Sequence, residues 1–331
     1  MRGVDGETEM KTLFPDIRPY RTEMLPVSHG HQLYLECSGS PEGIPVLVLH
    51  GGPGVGCSDK MRCFFDPERY HIIIFDQRGA GRSTPYADTE HNSSALILAD
   101  IEQIRAHLGI SRWVLFGGSF GATLALLYAQ QCPEQVRGMI LRGVFLGRAE
   151  DLDWLYRAGA SRFFPEAWQR FIAPVGKRIG PDLIEDYYHL LRGENELAVV
   201  SAAKEWSRWE SVNASFRPSV SAETYYMATH TAIAMARIST HFFRQQCFLR
   251  PNQIIAAASQ LAGIPGFIVH GRYDMICPPE QAWALAQHWP DGELNLVREG
   301  GHSAFDVGLT DALIGATQKL ALRLGSPESE A

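Results

Sequence analysis

The stretch Trp113-Val114-Leu115-Phe116-Gly117-Gly118-Ser119-Phe120-Gly121 decides the fold. Its apolar start, Trp113 to Phe116, shows no alternation and reads as a strand buried on both faces. Phe120 to Gln131, rich in Ala and Leu and stopped at Cys132-Pro133, reads as a helix. Between them, Gly117 to Gly121 fits G-x-S-x-G, in which a serine sits on a strained strand-to-helix turn and flanking glycines leave room for that backbone. The pentapeptide alone is a weak signal. Set between a buried strand and a helix, it specifies a nucleophile elbow.

Working outward, Val46 to Leu49 and Ile72 to Phe75 are further unalternating apolar runs, and Met139 to Leu141 is another. Between the second run and Trp113, Ser93 or Ser94 caps a segment whose Leu98, Ile101, Ile104 or Arg105, and Leu108 recur at helical spacing up to Gly109. Strand and helix therefore alternate, which specifies a parallel sheet covered by helices. Residues 22 to 37 alternate around His29-Gly30 and read as an antiparallel opening with Leu33 and Leu35 on one face. The rhythm breaks from about Arg148 to Ala262, where aromatic and charged residues keep helical spacing without a convincing buried strand. It resumes with a strand at Phe267 to His270, a helix from Pro279 to Trp289, a strand at Leu294 to Val297 and a last helix from about Thr310 to Leu324. The expectation is an α/β-hydrolase fold: a mostly parallel central sheet with helices on both faces, a core formed by residues 1–147 and 263–331, and an inserted helical cap at 148–262. The last residues, Ser326 to Ala331, are expected to fray.

A serine hydroxyl needs a base, and in this fold the partners follow in the order Ser, acid, His. Asp274 lies just past the strand Phe267 to His270, and His302 lies just past Leu294 to Val297 in Gly300-Gly301-His302-Ser303. The alternative base, His288, falls within a helix and reads as solvent-facing. His302 would take the Ser119 proton and return it to the leaving group while Asp274 fixes the imidazole tautomer. His50-Gly51-Gly52-Pro53-Gly54 follows the first buried strand, where the fold places half of its oxyanion hole. Gly52, with Gly51 as the alternative, and Phe120 are the expected backbone donors. The glycines also suit a tight turn, whereas a phosphate loop would need a following Lys-Ser or Lys-Thr.

Composition fits this reading and excludes others. The chain has 331 residues, 45% hydrophobic and 20% charged, enough to bury a large core without metals or crosslinks. A formal net charge of -7 argues against nucleic acid, which is bound through clustered Lys and Arg. Met1 to Thr12 lacks the basic and apolar regions of a signal peptide, and no run of 18 apolar residues exists, so no membrane span and a cytoplasmic location are expected. The six cysteines form no CxxC pair, which points to reduced thiols and to neither a disulfide framework nor a zinc site; no cofactor or metal is expected. Cys57 and Cys277 lie near the glycine loop and Asp274 in sequence and read either as inert packing or as thiols whose modification would block the site.

His50 to Gly54 with Gly56-Cys57-Ser58-Asp59, Phe75-Asp76-Gln77-Arg78-Gly79 with Gly81 to Pro85, Gly117 to Ser119, and His270 to Asp274 together resemble the proline iminopeptidase (prolyl aminopeptidase) family, from about Leu13 to Ala321. The resemblance implies removal of N-terminal proline from peptides through an acyl-enzyme on Ser119, with the cap forming the amine-binding end of the pocket. A cationic imino group beside a small ring calls for buried carboxylates and aromatic walls. Trp206-Ser207-Arg208-Trp209-Glu210 resembles the family's cap segment, which makes Glu210 an amine ligand and Trp209 a wall; Glu205 reads as a solvent-exposed neighbour. Two positions depart, and both are expected at the substrate. The family's Ala-Arg-Ile-Glu-Asn-His-Tyr-Phe is here Ala236 to Phe243 with Ser239 replacing the second glutamate, and Phe120 stands where the family usually carries Trp. A hydroxyl in place of a carboxylate removes a Coulomb partner and roughly halves each hydrogen bond to an ammonium. The readings left open are a prolyl aminopeptidase and an amidase, esterase or acyl transferase of altered specificity, the substrate in either case being a small peptide or amide. A non-catalytic receptor would show a damaged triad, and epoxide hydrolase or dehalogenase chemistry would need a carboxylate at position 119. Oligomeric state has no sequence signature here.

Overall fold

A computed structural model describes residues 10–176, 182–217 and 220–325. The frayed tail expected from Ser326 lies outside these residues, as does most of the Met1 to Thr12 segment. The sheet contains β1 (Arg21–Pro26), β2 (Gln32–Gly39), β3 (Ile44–Leu49), β4 (Tyr70–Phe75), β5 (Trp113–Gly118), β6 (Val136–Arg142), β7 (Gly266–Gly271) and β8 (Gly292–Val297), in the order β1-β2-β4-β3-β5-β6-β7-β8. β2 pairs antiparallel with β1 and β4; every other pair is parallel. β3, β5 and β7 are covered on both faces, which is why Val46 to Leu49, Trp113 to Phe116 and Phe267 to Val269 are continuously apolar. β8 is an edge strand and alternates. The opening hairpin turns at His29 and Gly30, both at positive φ, and Leu33 and Leu35 face inward.

Helix α1 (Ser94–His107) crosses from β4 to β5, capped by Ser93. Its inward stripe is Ile97, Ile101 and Ile104, one position back from the expected Leu98, because Asp100 also faces inward to meet Arg78. Helix α2 (Phe120–Gln131) is buried around almost its whole circumference, as expected of a helix apolar on all sides. Between β6 and β7 come α3 (Ala149–Asp153), α4 (Pro165–Ile172), α5 (Leu183–Leu190), α6 (Glu196–Ala214), α7 (Val220–Met227), α8 (Thr229–Arg244) and α9 (Gln253–Ala256), with no strand among the described residues of this stretch. The inward face of α6 carries Val199, Ala202, Trp206, Trp209, Glu210 and Asn213, a helical period that delivers one carboxylate into the interior. Helix α10 (Pro279–Ala286) stops short of the expected Trp289, whose indole instead turns inward to donate to Ile264 O. Helix α11 (Val307–Leu324) starts earlier than expected, at Val307. No helix among the described residues is long and apolar enough to cross a membrane.

Parallel strands present their carboxyl ends at one edge of the sheet, so the loops after β3, β5, β6, β7 and β8 converge there. Arg78, in the loop after β4, locks part of this edge. Its guanidinium is wholly buried, forms two bonds of 2.6 Å to Asp100, and donates to Ser28 Oγ and the carbonyls of Ser28 and His91. Asp100→Ala strands this charge; unfolding stability should fall by about 3–5 kcal/mol, seen as a lower guanidinium midpoint with an unchanged slope.

Candidate active site

Ser119 occupies the turn between β5 and α2 at φ 58°, ψ -124°, a conformation disfavoured for a residue with a side chain. A Cβ on Gly117 would lie 2.4 Å from Gly121 O, and one on Gly121 would lie 2.0 Å from Leu49 O. The two glycines of the pentapeptide are thus demanded by backbone contact. Ser119 N donates to Arg142 O at 2.9 Å, tying the elbow to β6. Phe120 opens α2, so its N–H has no acceptor within the helix.

Asp274, after β7, meets His302, after β8: Asp274 Oδ2 and His302 Nδ1 are 2.8 Å apart. Asp274 Oδ1 accepts from the N–H groups of Ile276 and Cys277. Burial raises the Asp274 pKa, but His302, His270 and the Cys277 N–H outweigh it and hold the carboxyl below its ordinary range. His302 titrates below its ordinary value because burial and the Arg142 charge disfavour the imidazolium more than Asp274 favours it. With Nδ1 occupied, Nε2 is the nitrogen left for Ser119, which lines the same cavity. The His302 backbone is fixed from two sides: its N–H donates to Ala214 O at the end of α6, and its carbonyl accepts from Arg142 Nη1 at 2.8 Å. His288 is exposed, outside the site. His270, read in the sequence only as strand, supports the acid. It accepts from Val144 N at Nδ1, contacts Cys277 O through Nε2, and lies 3.5 Å from Asp274 Oδ2.

The glycine loop packs directly on the elbow: a Cβ on Gly51 would lie 3.0 Å from Ser119 Cβ, and Gly52, at φ 108°, borders Ser119 in the cavity. Gln77 N donates to His50 Nε2, which leaves the proton on Nδ1 to donate to Gly51 O at 2.9 Å. Asp76 accepts from Cys57 N and from Arg82 N and Nε, clamping the far end of the loop. The sequence supplied these residues only as part of a family pattern, without a role.

A cavity of about 460 Å³ holds Ser119, His302, Gly52, Glu210, Arg142 and Tyr226 on its walls. From it an inner recess, with room for about one water molecule at ≈ 10 Å³, runs in beside Ser119 between Phe145, Leu155, Tyr156 and Phe243. Glu210 borders both spaces. Tyr156 OH donates to its Oε1 at 2.5 Å; burial nevertheless pushes its pKa up to about 7. Three residues expected to bind the substrate, Trp209, Phe120 and Ser239, point elsewhere. Trp209 packs flat on Phe171 and donates its indole N–H to Leu155 O, behind the recess. Phe120 turns its ring onto Phe242, inside the core. Ser239 is fully buried and donates to Pro53 O at 2.9 Å, so it braces the glycine loop. The aromatic wall is formed instead by Phe145, Tyr156 and Phe243. Glu205, read as solvent-exposed, is partly covered and faces Arg170 and Arg208. Cys57 and Cys277 are buried and burial pushes both thiols well up, which keeps them protonated and slow to react. Among the described residues no cluster of three or more His, Cys, Asp or Glu suits a metal.

A sheet of this order, with a serine elbow after its fifth strand and an acid–histidine pair on later strand ends, defines an α/β hydrolase, and a family model described as alpha/beta hydrolase fold matches residues 44–309. The proline iminopeptidase of Xylella fastidiosa is 46% identical over 93% of this chain and 99% of its own length, and that of Arabidopsis thaliana is 41% identical over 95% and 83%. The chain belongs to the proline iminopeptidase family. Among solved structures, a proline iminopeptidase-related protein from Thermus thermophilus superposes with a TM-score of 0.60 at 22% identity, covering 93% of this chain and 98% of that one. An esterase from a Rhodococcus species gives 0.61 at 18%, covering 94% and 100%. At these identities the likeness extends to the fold.

The depressed His302 pKa leaves the imidazole neutral, and so able to accept a proton, from below pH 6.5 upward. The rate of Ser119 modification by a fluorophosphonate should rise through a pKa below 6.5 and be level by neutrality; a midpoint above 7 would contradict the arrangement.

Proposed function

We propose that this protein releases N-terminal proline from short peptides by acyl transfer to Ser119. Ser119 Oγ attacks the proline carbonyl as His302 Nε2 takes its proton, and Asp274 stabilises the imidazolium. The N–H groups of Gly52 and Phe120 receive the oxyanion. His302 then protonates the leaving amine, and water, deprotonated by His302, hydrolyses the ester to free proline and Ser119. Preorganised donors of this kind contribute about 3–4 kcal/mol each to the transition state.

The observation that carries the reading is Glu210, a carboxylate buried at the junction of the recess and the cavity, with a Tyr156 hydroxyl on one oxygen and apolar walls around it. An unpaired buried carboxylate is costly, and a cationic imino group relieves that cost on binding. The relatives named proline iminopeptidase support the same assignment. Phe145, Leu155 and Phe243 suit a pyrrolidine ring, which enters by displacing these side chains, the resting recess being too small for it. Residues 148–262 act as the cap, with α6 supplying Glu210. Ser239, bonded to Pro53, has no direct part in holding the amine, so one ionised carboxylate serves where the family pattern has two.

Glu210→Gln should lower kcat/KM for a proline arylamide by about 10²-fold or more, the cost of truncating one partner of a buried charge pair. Because Glu210 ionises near pH 7, the wild-type KM should fall as pH rises through 7, a limb absent from the variant. An N-acetyl-proline arylamide, which has no cation, should be cleaved at least 10²-fold more slowly than the free amine; equal rates would defeat the proposal.

A further inference from the structure

Arg142 stands at the carboxyl end of β6, directly opposite Gly118 in the parallel ladder, one residue before the nucleophile. Its side chain lies against the elbow: a Cβ on Gly118 would fall 2.3 Å from Nη2. Arg142 lines the 460 Å³ cavity together with Ser119 and His302 but is absent from the recess. It has five N–H donors, and among the described residues it makes one side-chain hydrogen bond, from Nη1 to His302 O, and no ion pair within 4 Å. The acids nearby are engaged elsewhere. Asp274 is held by His302 and by the N–H groups of Ile276 and Cys277, and Asp306 accepts from the N–H groups of Gly301 and Phe216. Arg142 is half-buried, and desolvation disfavours its charge, a cost that a ligand carboxylate relieves.

Its position fixes which part of a substrate that ligand is. Glu210 marks the proline end, and His302 must lie beside the leaving nitrogen in order to protonate it. Arg142, bonded to the His302 carbonyl and outside the recess, is on the leaving-group side. Neighbouring strands lie about 4.8 Å apart and one residue spans about 3.5 Å, so the fork reaches a group one or two residues beyond the scissile bond. We infer that Arg142 binds the free C-terminal carboxylate of di- and tripeptide substrates, making the enzyme a selective peptidase for the shortest proline-headed peptides. This rests on the aminopeptidase reading above. A planar guanidinium engages a carboxylate through two parallel N–H bonds, which a neutral terminal amide cannot match.

The test compares kcat/KM for Pro-Gly and Pro-Gly-Gly with that for their C-terminal amides. Wild type should prefer the acids by about tenfold or more, with the ratio shrinking as salt is raised. Arg142→Gln should bring the ratio close to one, and Arg142→Lys should keep part of it, as a point charge without the fork. Since Arg142 also holds the His302 carbonyl, the acid-to-amide ratio, not the rate, is the readout; loss of packing alone would slow both substrates together. Wild type without acid preference overturns the inference whether or not the variants fold. So does loss of the preference in Lys60→Gln, the exposed cation at the rim, with retention in Arg142→Gln. A proline arylamide separates the two readings: its turnover with an acid-to-amide ratio of one defeats only the Arg142 assignment, whereas no turnover of any free-amine substrate defeats both.

Discussion

The backbone of Ser119 is held at a positive φ that a serine does not adopt unaided, at a cost of about 1–3 kcal/mol, and the site is organised around maintaining it. Compensation comes from both sides of the turn. β5 lies in the middle of the sheet between β3 and β6, and α2 buries nearly every side chain it has. The contacts of Gly117 with Gly121 O and of Gly121 with Leu49 O set strand and helix closer than any side chain permits. This proximity also sets the glycine loop after β3 against the serine, so the nucleophile and the loop beside it are positioned by one packing event.

Charge is distributed around that elbow with the same economy. Asp274 stays ionised because His302 and two backbone N–H groups face it, while His302 stays neutral because it is buried and has Arg142 nearby. Glu210 lies between these extremes, near neutrality, since a tyrosine hydroxyl offsets only part of its burial. In the loop after β4, Asp76 and Arg82 neutralise each other while bonding the backbone of the glycine loop. Among the described residues Glu210 and Arg142 each keep unused hydrogen-bonding capacity, and both line the cavity.

Much of this was legible in the sequence because the relevant signals are local. A strand covered on both faces must be apolar throughout, an elbow must have glycine on either side of its serine, and an acid and a histidine just past strand ends fall on one edge of a parallel sheet. The direction of a side chain from an element with two buried sides was not legible. Trp209 and Glu210 are neighbours on the buried half of α6, yet one packs back onto α4 and the other faces the cavity, a difference of rotation that periodicity does not resolve. The same holds for Phe120 and Ser239, whose side chains turn to Phe242 and to Pro53 O. Arg142 and His270 carry a usable signal: each is a polar side chain directly after a run of buried apolar residues, Met139 to Leu141 and Phe267 to Val269, an anomaly that needs a reason.

The hydrogen bond from Arg142 to the His302 carbonyl joins residues 160 positions apart, and the whole helical block lies between them in the chain. During synthesis the elbow and the glycine loop therefore emerge long before the base. On the proposed assignment, a nascent chain whose serine is already seated on its turn has no base for it until β8 and the loop beyond have been translated and docked. With His302 as the base proposed above, catalytic competence arrives in one late step.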